Sequence, residues 1–216
     1  MSTLIEDYAI IGDTRTVAAV ARNGSIDWWC VPRIDSGAVF AALLGEPQHG
    51  RWRVAPKGDV TAIRRSYVGD SLVLRTEFDT GDGTVKVTDF MSPGVDRPTI
   101  FRIVDGLSGS VTMSLELVVR FDYGSIVPWA QSTGDGLTLV AGNDALRLHS
   151  PVPLRPSPAF RPGRLRARVV RRAPEFARRD LPLAHRGTPS RAHELSTSRS
   201  IRNRSRPARL RTSRPE

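Results

Sequence analysis

A break in composition near residue 154 restricts what this 216-residue chain can fold into more than any single motif does. Residues 1–154 carry 14 basic and 18 acidic side chains, a net charge of −4, whereas residues 155–216 carry 18 and 4, a net of +14. Trp28, Trp29, Trp52, Trp129 and all three Tyr precede the break, and only Phe160 and Phe176 follow it as aromatics. Arg, Pro, Ser and Ala supply 40 of the last 62 residues, and every basic residue there is Arg. So little apolar bulk does not offset the conformational entropy lost on ordering. The reading is a folded domain over residues 1–154, an ordinary size for one core, followed by a disordered Arg/Pro/Ser-rich tail over 155–216. The overall charge of +10 describes neither part.

Within the first part the periodicity is that of β structure. Val17–Ala21 and Ile26–Trp29 flank Asn23-Gly24, a dipeptide that favours the positive φ of a type I′ turn, so this segment reads as a hairpin. Ala38–Leu44 reads as a short helix capped by Ser36 and closed by Gly45. Arg51–Val54, Val73–Phe78 and Val85–Phe90 alternate polar and apolar residues, and Thr80-Gly-Asp-Gly83 forms a turn between the last two. Thr99–Val104, Val111–Arg120, Leu137–Val140 and Ala145–Leu148 add strands, separated by Gly106–Gly109, Ser132–Gly136 and Gly142–Asp144. The fold expected is mainly β, an antiparallel β-sandwich with one short helix.

Several function classes are excluded early. Cys30 is the only cysteine, which rules out an intramolecular disulfide and multi-cysteine zinc sites and fits a reducing, cytoplasmic location. Cys30 itself reads as a buried small hydrophobe rather than a nucleophile. His49, His149, His185 and His193 lack metal-ligand spacing, and there is no Gly-rich phosphate loop, so neither metal nor cofactor is expected. Met1–Asp13 has neither the basic nor the apolar region of a signal peptide, and no run approaches the roughly 20 apolar residues of a membrane span. A soluble cytoplasmic protein without a membrane partner is the expectation.

Ile5-Glu-Asp-Tyr-Ala-Ile-Ile-Gly-Asp13, followed by Asn23-Gly-Ser-Ile-Asp-Trp-Trp-Cys-Val-Pro-Arg-Ile-Asp-Ser36, resembles the opening of the bacterial trehalase-like and glucoamylase-like proteins of glycoside hydrolase family 15. The resemblance continues through Phe40–Gly45, Gly50-Arg-Trp52, Val87–Met91, Arg102–Gly106 and Arg120–Gly124, and stops at about Leu154. Ile34 stands where the family usually has an aromatic, and Trp29 where it usually has Leu. The resemblance implies an N-terminal β-sandwich that packs on a C-terminal (α/α)6 barrel. That barrel supplies a general acid and a general base, which hydrolyse α-glucosidic bonds with inversion. The catalytic glutamates belong to the barrel, so no catalytic residue is assigned in this sequence, and trehalose or an α-glucan is a substrate of the full-length parent only. Separated from the barrel, the domain is expected to expose the face that docks it.

Glu6, Asp7, Asp13, Asp27 and Asp35 form the one candidate carboxylate group, and the competing reading makes them caps and surface charges. For the Pro32–Ser36 loop two readings stand. Arg33 and Asp35 border a sugar site with Trp28 or Trp29 as a stacking face, or they pair to pin the hairpin exit while the tryptophans fill the core. A different class is a carbohydrate-binding module that uses exposed Trp28, Trp52 or Trp129. The Arg-rich tail admits a nucleic-acid-binding arm, but it lacks interleaved aromatics for stacking; it admits an ordinary linker; and its composition also matches a GC-rich gene read in a shifted frame near residues 150–156.

Overall fold

A computed structural model of the chain describes residues 3–95, 97–133 and 136–152, and the backbone of 155–156, 164–172 and 183–187. The architecture is one antiparallel sheet folded over on itself into two layers. In the first, β1 (Tyr8–Gly12), β2 (Val17–Ala21) and β3 (Ser25–Cys30) form a meander; β4 (Ala38–Phe40) and β5 (Arg51–Pro56) both pair with β3. In the second, β6 (Val60–Tyr67), β7 (Leu74–Thr80) and β8 (Gly83–Met91) form another meander. β9 (Thr99–Val118) belongs to both layers. Its first half pairs with β8, from Met91 opposite Ile100 to Gly83 opposite Gly109, and its second half pairs with β5, from Pro56 opposite Met113 to Arg51 opposite Val118. β10 (Trp129–Thr133), β11 (Gly136–Ala141) and β12 (Asp144–His149) extend the second layer.

Alternation along each strand sends one set of side chains into the space between the layers. In β8 the inward set is Val85, Val87, Asp89 and Met91; β5 contributes Trp52 and Val54, and β9 contributes Ile100, Arg102 and Val104, then Met113, Leu115 and Leu117. With Ile26, Trp29, Phe40, Leu74 and Phe78 they make a single core. Arg102 sits at its centre without solvent exposure. Its Nε and Nη2 hold both oxygens of Asp89 at 2.8 and 3.1 Å, Nη1 donates to the carbonyl of Trp52 at 2.6 Å, and Nη2 donates to that of Gly24 at 2.8 Å. The guanidinium also lies 5.2 Å from the Trp52 ring centre. A side chain of the second layer thus bonds main-chain groups of the first, and its charge is both paired and hydrogen-bonded, the condition for burying one.

Most expected strands are present, and three expectations are corrected. Ala38–Leu44 is not a helix: Ala38, Val39 and Phe40 are all buried and extended as β4, and only Ala42–Leu44 forms a single 3₁₀ turn. Three consecutive buried side chains need to face both ways, which a strand against β3 provides and a surface helix does not. Gly106–Gly109 does not separate two strands; the chain continues extended through it, so one strand serves both layers. The β2–β3 connection is not a type I′ turn, because Asn23 does not take positive φ. Gly24 alone does, at +79°, and its N–H donates to Ala21 O at 3.0 Å across a three-residue loop.

β1 is the outer strand of its layer, and Tyr67 closes part of its edge from β6. The Tyr67 hydroxyl donates to Ile10 O at 2.8 Å and accepts from Ile10 N–H at 3.0 Å. One rung that another chain could have used is thereby occupied.

Within residues 155–216 three backbone stretches are described: β13 (Arg155–Pro156), β14 (Arg164–Arg172) and β15 (Leu183–Gly187). β14 runs antiparallel to β9 from Arg164 opposite Val118 to Arg172 opposite Ser110, and β15 pairs with β12 and the start of β9. Main-chain groups alone make such ladders, so an open edge accepts an extended segment of almost any composition. The remainder of the tail lies outside the described residues, and with it most of the expectation of disorder. Among the described residues no helix is long and apolar enough to cross a membrane.

Candidate functional site

The outward face of the first layer concentrates polar and aromatic groups that the core does not use. Register places them on one side: Tyr8 opposes Ala21, Ile10 opposes Ala19, Ala19 opposes Trp28, and Ser25, Arg53 and Glu116 form a row across β3, β5 and β9. Asp27 lies at an irregularity of β3 and is buried, receiving hydrogen bonds from the hydroxyls of Tyr8, at 2.8 Å, and Ser25. The Tyr8 phenol is pushed up to about 12, first by burial, then by the hydrogen bond to Asp27 and its negative charge, and is lowered slightly by a hydrogen bond with Thr3. Arg51 Nη2 donates to Glu116 Oε1 at 3.1 Å. Beside it the Arg53 guanidinium is half-buried and held below its ordinary value, first by burial and then by the charge of Arg51, with Glu116 and Asp27 opposing the shift. Among the described residues it makes no hydrogen bond.

An aromatic rim borders this face. Trp28 is half-buried over Cys30, Ala38 and Ala41, and its ring centre lies 6.0 Å from that of Tyr123, at 46°. Tyr123 is 50% exposed in a loop where Asp122 and Tyr123 both take positive φ. Its hydroxyl reaches Ser36 O at 3.4 Å, which ties the rim to the Pro32–Ser36 loop. There Arg33 and Asp35 form a two-pronged pair at 2.9 and 3.0 Å, each side chain about two-thirds exposed. Exposed Leu44, Ile126 and Val127 lie on the neighbouring loops.

The residues singled out from sequence therefore meet different fates. Trp28, Arg33 and Asp35 fall in one neighbourhood, linked through Tyr123 and Ser36, with the two charges engaged with each other. Trp29 and Trp52 are fully buried, so neither offers a stacking face, whereas Trp129 is 86% exposed on β10. The five carboxylates do not converge. Asp13 Oδ1 accepts the amides of Arg15 and Thr16 at 3.0 and 2.9 Å, Asp27 serves Tyr8 and Ser25, Asp35 pairs with Arg33, and Glu6 and Asp7 lie within the 3₁₀ turn Ile5–Asp7 before β1. Cys30 is buried, and burial raises its thiol. No group of three or more His, Cys, Asp or Glu among the described residues is placed to hold a metal ion. Sequence reasoning assigned no site role to Tyr8, Arg53, Glu116 or Tyr123: Tyr8 and Tyr123 lie within the motifs that carry the resemblance without being singled out, and Arg53 and Glu116 meet only through strand register.

The family model described as trehalase-like, N-terminal matches residues 1–153. The trehalase of Thermoplasma volcanium is 29% identical over 157 residues, covering 70% of this chain and 25% of that protein. Trehalase 2 of Sulfolobus acidocaldarius is 32% identical over 131 residues, 61% of this chain and 21% of that protein. The trehalase of Mycolicibacterium smegmatis is 32% identical over 138 residues, 55% of this chain and 20% of that protein. The chain thus spans a quarter or less of the length of these relatives. With residues 1–153, well over half of its length, inside the match, the chain belongs to the trehalase-like N-terminal family.

Proposed function

We propose that this chain is the N-terminal, non-catalytic part of a trehalase- or glucoamylase-like enzyme of glycoside hydrolase family 15, working in the cytoplasm and inactive alone. Residues 1–154 are the functional unit in this reading. The observation that carries it is coverage: the similarity to proteins named trehalase is confined to a quarter or less of their length. The carboxylates support it. Inverting hydrolysis needs one carboxyl kept protonated and another ionised, about 6.5–9.5 Å apart across the sugar in a pocket that excludes bulk water. Here Asp13 caps a turn, Asp27 accepts from two hydroxyls, and Asp35 and Asp89 are held in ion pairs.

In the parent enzyme the outward face of the first layer docks the remainder of the polypeptide. Arg53 offers free donors to acceptors on that partner, Trp28 and Tyr123 offer apolar contact, and Trp28, Arg33 and Asp35 stand at the rim of the α-glucoside site. The purified chain is expected to release no glucose from trehalose or maltooligosaccharides. Turnover above a buffer control in a coupled glucose assay overturns the reading.

A further inference from the structure

We infer that the outer edge of β9 is a strand-addition site for an extended segment with apolar residues at alternate positions, and that Arg164–Arg172 of this chain is its selected occupant. β5 pairs with one side of β9 over Met113–Val118, and β14 pairs with the other over Ser110–Val118. Without β14 that second side is a bare edge. The stretch Ser110–Val118 has no Pro, a single charge at Glu116 and no irregularity of register with either neighbour. It therefore lacks the devices that keep an edge from pairing with other chains.

Main-chain pairing admits many segments, and register selects among them. Leu165, Ala167 and Val169 stand opposite Leu117, Leu115 and Met113, which belong to the core, while Arg164, Arg166 and Arg168 stand opposite Val118, Glu116 and Ser114. Alternate positions of a strand share a face, so the apolar positions of the segment fall in the rows where β9 faces the core. A slip by one residue brings Arg to those rows instead. The match ends at Val169, and Arg171, opposite Val111, lies past it. Charge does not make the selection, because Arg51 and Arg53 already attend Glu116 from the β5 side. What the segment adds is a guarded border. β14 contains five Arg, and beyond it the sheet continues only as β13, two residues long and ending in Pro156. Short, charged and Pro-bearing edges are those that other chains do not extend. This inference does not depend on the trehalase reading.

Amide hydrogen exchange on the full 216-residue chain reads the site residue by residue. Within Met113–Val118, β5 alone leaves every second N–H without a sheet partner, whereas β5 and β14 together leave none. Consecutive amides there are expected to exchange slowly, and equally so over a tenfold range of protein concentration. Fast exchange at every second amide overturns the site, and protection that falls on dilution gives the edge to a second copy and overturns the assigned occupant. These two readings need no variant. Leu165→Asp/Val169→Asp, made in the full chain, is expected to speed exchange at every second amide at least tenfold and to leave the others unchanged. A peptide of residues 164–172 added to this variant is expected to restore the protection, and a peptide in which the Arg and apolar positions of 164–169 are interchanged is not. Unchanged exchange in a folded variant, or equal restoration by both peptides, overturns the selection by register.

Discussion

Arg102 and Tyr8 show how single side chains set the terms for the layers around them. Arg102 is a buried charge whose four hydrogen bonds all go to groups that are themselves inside. Arg102→Met keeps the bulk but leaves Asp89 an unpaired buried carboxylate and two carbonyls without donors, a loss of about 3–5 kcal/mol. Urea denaturation is expected to show it, with part of the loss recovered in Arg102→Met/Asp89→Leu. Tyr8 contributes to the alkaline limit. Its folded value of about 12 lies above the ordinary 10, so the folded state holds the phenolic proton more tightly than the unfolded chain does. That contribution is complete below pH 10 and is lost as pH rises through 12. Stability is therefore expected to fall less steeply over this interval in Tyr8→Phe than in the wild type, measured by denaturant midpoints at fixed ionic strength.

At the scale of elements, legibility followed locality. β2, β5, β7, β8, β11 and β12 were readable because alternation and turn residues are written into consecutive positions. β4 was not: Ala38-Val-Phe40 is apolar without alternation, and only its pairing with β3 decides between helix and strand. Gly106 and Gly109 imitate a turn within β9, yet the strand runs through because Val85, Thr84 and Gly83 of β8 stand opposite Gly106, Ser108 and Gly109. The candidate face was half legible for the same reason. Trp28, Arg33 and Asp35 lie in one motif, whereas Arg53 and Glu116 meet only through register. The β2–β3 loop carries the prediction at this scale. A methyl group on Gly24 meets Val54 O, and the residue's φ of +79° is one that L side chains rarely adopt. Gly24→Ala is expected to cost roughly 1–3 kcal/mol, seen as a lower denaturation midpoint with an unchanged m-value.

For the molecule as a whole, the two layers are one sheet and share one core, so they have no route to separate stability. The strand that joins them also sets an order of manufacture. β5 is complete at Pro56, but its partner Met113 follows about sixty residues later, and at about 5–20 residues per second a ribosome needs roughly 3–12 s to deliver it. During that interval the opposite wall, β6 to β8, is made strand by strand, and the Trp52 and Gly24 carbonyls await the guanidinium of residue 102. The nascent chain gains its central charge and the link between its two layers from the same late-arriving strand.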